Sequence, residues 1–170
     1  MTRIAELINY LEEAMEDLTQ RWVTQTKQIN TTDTKKVLQE AITKTNLDSH
    51  MVITYLRSSA ITESHQFKLA VYEKDPFIGT PIYQTMLNMK PLYTEVPNYM
   101  QTLLKQLSPP YFQIFPYEKE EIKRSFTAKL YHQSHHFFDH VLKEVKMNRK
   151  QRPIYFGEEM GELKTIGEIL

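Results

Sequence analysis

The sequence contains no cysteine and only four glycines in 170 residues. Without thiols there is no disulfide, no thiolate nucleophile and no thiolate metal site, and the composition suits a reducing compartment. With so few glycines, none grouped, a phosphate-cradling loop or a dinucleotide fingerprint has no seat. Ser58 and Ser59 lack the flanking glycines of a nucleophile elbow. An excess of either charge is missing too: 21 Lys and Arg balance 21 Asp and Glu, so no long-range field favours nucleic acid, an anionic membrane or an acidic substrate. No apolar run approaches the roughly 18 residues of a membrane-spanning helix. The opening stretch "MTRIAELINYLEEAMEDL" is broken by charge too often for a secretory leader. A cytoplasmic protein with no membrane partner is expected.

What is present is ordinary for a globular chain: 41% apolar and 25% charged residues, enough for one domain over residues 1–170. Seven of the eight prolines fall between Pro76 and Pro116, so the centre is punctuated and the flanks are left to helices. The expected organisation is a helical hairpin over 1–45, a strand- and proline-rich centre over 46–116, a long helix over 117–147, and a C-terminal hairpin or arm over 148–170.

The clearest periodicity lies in residues 3–29, where Ile4, Ile8, Leu11, Met15, Leu18 and Trp22 alternate at steps of four and three. Such a heptad seam packs against another helix at a shallow angle. Residues 33–45, with Val37, Leu38, Ala41 and Ile42, are the nearest candidate; a second copy of the chain is the other. The stretches 51–57 and 67–74 are rich in β-branched and aromatic residues and predict two antiparallel strands, while 82–89 fits a strand or a helix about equally, with the strand preferred. Residues 95–107 predict a helix capped by Thr94, with Pro97 in its first turn. Residues 158–170 fit a strand or a helix equally. The whole reads as α+β, long helices packed on a small, mainly antiparallel sheet.

On the long helix, Ile122, Phe126, Leu130, Tyr131, Phe137, Phe138, Val141, Leu142 and Val145 fill a wide apolar arc. Opposite it, His132, His136, His140 and Glu144 follow at steps of four, and His135 and Asp139 form a second pair. Imidazoles four residues apart on a helix can share one zinc ion or another divalent transition metal. The stretch "HQSHH" lacks the His-Glu-x-x-His of zinc proteases, and only His50, His65 and scattered carboxylates are at hand as further ligands. The bland reading makes the imidazoles the solvated side of a helix whose phenylalanines fill the interior.

Two other patterns are weighed. Lys143, Lys146, Arg149, Lys150 and Arg152 gather where the long helix ends, which suits a helix C-terminus better than a nucleic-acid site. Tyr93, Tyr99, Tyr111, Phe112, Phe115 and Tyr117 make the centre aromatic, a composition that pins loops or lines a binding surface.

The leading expectation is a small binding or interaction protein without catalytic machinery or cofactor. Its partner would be a protein, the chain itself through helix 1 included, and its surface would involve Ile8, Leu11, Met15, Leu18, Trp22, Tyr99 and Tyr111. The alternative is a metal-dependent enzyme using His132, His136 and His140; a nucleic-acid-binding regulator is the second alternative.

Overall fold

The computed structural model describes residues 1–46, 49–73, 79–145 and 154–166. Six helices and five strands are assigned among them, as an α+β fold. The helices are α1 (Arg3–Thr26), α2 (Thr32–Thr43), α3 (Arg57–Ile61), α4 (Val96–Gln106), α5 (Pro116–Gln133) and α6 (His135–Glu144). The strands are β1 (His50–Tyr55), β2 (Gln66–Tyr72), β3 (Tyr83–Asn88), β4 (Ile154–Glu158) and β5 (Leu163–Ile166). They form one sheet in the order β3-β2-β1-β4-β5, antiparallel except where β4 runs parallel to β1. The long crossover through α4, α5 and α6 makes that parallel pairing possible, since parallel neighbours cannot be joined by a tight turn.

Strand alternation sorts the sheet into two faces. Met51, Ile53, Tyr55, Phe67, Leu69, Val71, Ile154 and Phe156 join the apolar side chains of the helices in one continuous core. Val52 and Ala70 are buried as well, yet lie outside that cluster, on the opposite face. β1 is the central strand and all six of its residues are buried.

The periodic stripe of α1 is used inside the chain. Leu11 and Met15 are 0% exposed and Trp22 is 2% exposed, and Trp22 donates its indole N–H to the Leu92 carbonyl at 2.7 Å. The principal neighbour of α1 is α5, with α4 and α6 beside it, whereas α2 lies against α6, β2 and β3. The expected pairing of α1 with α2 is therefore replaced by a long-range one, because the wide apolar arc of α5 offers more surface than the short face of α2. The two helices are also tied at their amino ends. Glu118, fully buried at the start of α5, accepts the Phe115 backbone N–H at 2.8 Å through Oε2. Its Oε1 meets Arg3 Nε at 2.8 Å as an ion pair.

The single helix expected over 117–147 is two. At Ser134 the side-chain Oγ donates back to the Leu130 carbonyl at 2.9 Å and meets the Tyr93 hydroxyl at 2.7 Å. Its backbone N–H turns to Tyr131 O, three residues back, so the helical ladder tightens and restarts with α6. The other boundaries agree closely: 82–89 holds strand β3, 95–107 holds α4, and the tail is the β4–β5 hairpin as far as Ile166. α4 is capped from Glu95 rather than Thr94. The stretch "DPFIGTP", whose composition predicts a turn, lies mostly outside the described residues, as does the basic run beyond Lys143.

Leu11→Ala is expected to lower stability by about 2–5 kcal/mol, the cost of a large-to-small change in a closed core. Urea unfolding measures it. The midpoint should not move with protein concentration; a midpoint that did would put the α1 stripe between two copies of the chain.

Candidate metal centre on the histidine helix

The restart at Ser134 sets the angular phase of every residue in α6. Phe137, Phe138, Val141 and Leu142 turn into the core, while His132 lies on α5, across the break from His136 and His140. The ladder of three imidazoles is therefore divided between two helices. A different set converges: His135, His136 and Asp139 each bring a ligand atom to within 4.8 Å of the other two. His135 and His136 are sequence neighbours whose side chains leave a helix about 100° apart, and here their ring centroids approach to 3.9 Å.

The surroundings of this set define its chemistry. His135 Nδ1 donates to the His132 carbonyl at 3.0 Å, which is the only role a carbonyl allows it, so the Nε2 lone pair is left facing outward. A hydrogen bond on one imidazole nitrogen is the usual way a ligand histidine has its other nitrogen oriented. The ring also lies over Phe156 of β4, at 6.3 Å, which places it at the seam between α6 and the sheet. Across that seam stands Lys164 of β5, whose register partner Phe156 puts it on the helix side of the sheet. Burial lowers the pKa of both His135 and His136, with Lys164 pushing the same way and Asp139 opposing it. Burial likewise lowers the pKa of Lys164, and Asp139 acts to raise it.

The remaining residues singled out in the sequence sit elsewhere. His132 is exposed; His140 is half-buried, close enough to Glu144 to help hold its carboxyl low after Lys35, its ion-pair partner. His50 lies at the start of β1 beside Tyr155, and neither it nor His65 belongs to the set on α6. Leu11, Met15, Leu18, Trp22 and Tyr99 are core residues, and Ile8 and Tyr111 pack half-buried against them, so the expected interaction surface is largely interior. Tyr99 reaches across to the Gln25 side chain and stands edge-on to Phe126.

A second polar constellation was not legible in the sequence. His65 stacks on Tyr93 at 4.6 Å and meets the Tyr131 hydroxyl through Nδ1 at 2.8 Å. Tyr131, its pKa pushed up to about 12 by burial, stays protonated. Ser59 Oγ lies at 3.4 Å from the same hydroxyl and accepts the Gln66 backbone N–H at 2.8 Å. Both Glu63 and His65 adopt positive φ, 55° and 46°. A serine committed to the backbone is no nucleophile, and the cluster reads as a brace fixing the start of β2 to α5.

No family model, curated protein or solved structure matches this chain. Its site is read from its own geometry.

Burial lowers the pKa of His65, with Lys123 and Lys90 adding to it and Glu63 opposing. The imidazole is therefore neutral in the folded state where the unfolded chain would begin to take a proton. Its contribution is whole above the unfolded value of about 6.5 and is lost as pH falls through the lower folded value. Chemical denaturation at pH 7 and pH 5 should show lower stability at pH 5, and His65→Asn, which tolerates the positive φ, should shrink the difference.

Proposed function

We propose that this protein is a small binding protein that holds a divalent transition-metal ion through His135, His136 and Asp139. The observation that carries the reading is the convergence of the three ligand atoms within 4.8 Å. An ion bound at about 2.0–2.2 Å from each of three tetrahedral donors holds them roughly 3.4 Å apart, so closure asks for side-chain movements of about an ångström or somewhat more. Two imidazoles and one carboxylate suit zinc, nickel or copper, and the nearby ammonium of Lys164 disfavours calcium or magnesium, which need several oxygen donors and a negative site. The lowered pKa of both imidazoles eases the loss of the proton that ligation displaces. Three donors from one turn of helix leave coordination positions for water or for a donor from a partner.

Binding, not turnover, is the role this set supports. All three donors come from α6, and among the described residues no further His, Asp or Glu joins them. The α1 stripe offers less to a partner protein, since it is spent on the core. The basic run that would favour nucleic acid lies beyond the described residues apart from Lys143, so it contributes nothing to the choice.

Isothermal titration of untagged protein with zinc and with nickel tests the proposal. One ion per chain with a Kd near the micromolar range is expected. His135→Ala and Asp139→Asn should abolish binding, His132→Ala and His140→Ala should leave it nearly unchanged, and Lys164→Met should tighten it by removing a repelling charge. Binding that survives His135→Ala and Asp139→Asn, or no binding at all, overturns the assignment.

A further inference from the structure

The sheet ends on one side at β3, which has β2 as its neighbour on one edge and no strand on the other among the described residues. The Met89 backbone N–H donates to the His65 carbonyl at 2.8 Å, one step beyond the pair of Gln66 with Asn88, and this fixes the phase of the ladder. In an antiparallel pair, residues that bond across to the neighbour alternate with residues whose backbone points outward. Tyr83, Thr85 and Leu87 therefore turn their N–H and C=O groups to β2, and Gln84, Met86 and Asn88 turn theirs to the open side.

An open edge is a template for another strand, and proteins commonly guard it with a charge or a proline. Neither stands here. The eight residues from Ile82 to Met89 hold no charge and no proline, in a chain that is 25% charged. Gln84, Met86 and Asn88 are all exposed, Met86 at 44%.

The edge also complements itself. Laid antiparallel on a second β3 with Met86 opposite Met86, the three outward residues of each copy form three pairs, each exchanging two backbone bonds. Gln84 of one copy then stands opposite Asn88 of the other. Asn88 Oδ1 already accepts the Lys90 backbone N–H at 3.1 Å, which leaves its Nδ2 free to donate to the Gln84 side-chain carbonyl across the seam. The same register sets Tyr83 of one copy opposite Met89 of the other, on the helix side of the sheet. A groove of about 240 Å³ runs there between the edge and the start of α2, lined by Ile29, Val37, Met89 and Leu92 among others. An unrelated strand would have to be matched to this edge. A second copy is matched already, by its neutrality, its paired amides and a ring for the groove.

We propose that two copies of this chain pair through β3, antiparallel and centred on Met86, joining their five-stranded sheets into one. The contact is at the small end of interface sizes, so it forms reversibly with a Kd of about 100 μM. It leaves the α1 stripe in the core, and unfolding at low micromolar protein reads the single chain. It does not rest on the histidine set, which lies toward β5 at the other edge of the sheet.

Sedimentation velocity from about 5 μM to about 1 mM should show the 20.2 kDa chain passing reversibly into a dimer. Met86→Lys sets two ammonium groups against each other on the symmetry axis and should hold the protein monomeric throughout, with circular dichroism and thermal unfolding confirming that this exposed change spares the fold. Cross-linking then reads the register, since the chain has no cysteine of its own. Two Met86 Cα atoms would lie about 5.5 Å apart, within disulfide reach, and two Gln84 Cα atoms about 14 Å apart. Under the same oxidant Met86→Cys should therefore form a covalent dimer about tenfold faster than Gln84→Cys, or more. The proposal is overturned if the protein stays monomeric to 1 mM, if Met86→Lys associates as the unaltered chain does, or if Met86→Cys cross-links no faster than Gln84→Cys.

Discussion

The contact between the Tyr93 hydroxyl and Ser134 Oγ, at 2.7 Å in the middle of the molecule, is the hinge on which the rest turns. Ser134 is completely buried, and its Oγ also bonds back to the Leu130 carbonyl, so the helix is obliged to tighten there. That single local event separates α5 from α6. It lets Phe126 and Leu130 pack toward α1 and α4 while Phe138 packs against Phe67 and Phe156 of the sheet. It also puts His132 on a different helix from His135, His136 and Asp139, whose spacing of three and four residues within α6 brings their ligand atoms together at the edge facing β5.

Much of the fold could be read from periodicity because burial in this chain is strongly one-sided. The stripe from Leu7 to Trp22, the arc from Ile122 to Val145 and the alternation of Phe67, Leu69 and Val71 all lie where a single apolar face demands them. What escaped depends on long-range geometry. The break at Ser134 hangs on a hydroxyl from a residue 41 positions away, and no local propensity announces it. The parallel pairing of β4 with β1 follows from the crossover, and "IYFGE" looks the same whichever way its neighbour runs. The partnership of α1 with α5 was missed because proximity in sequence favoured α2.

The candidate sites were legible to different degrees for the same reason. Histidines in α6 are visible as residue types, but which of them converge depends on rotamers, and helical spacing alone singled out His132, His136 and His140. The meeting of His65 with Tyr93 and Tyr131 had no sequence signal, because the three rings come together only when the start of β2, the segment before α4 and α5 are side by side. Lys164 shows a third case. Pointing a lysine toward the helix side of an edge strand costs desolvation, yet it places a charge beside His135, His136 and Asp139 that no periodicity announces.

The tie between Arg3 and the start of α5 joins groups more than a hundred positions apart, Arg3 bonding to the Gln113 carbonyl as well as to Glu118. A ribosome delivers α1 long before it delivers its partner. Until α5 emerges, the stripe of Leu7, Leu11 and Met15 has no surface to cover it, and at roughly 5–20 residues per second that interval lasts seconds. The nascent chain therefore carries this apolar stripe without its main partner helix for much of its synthesis.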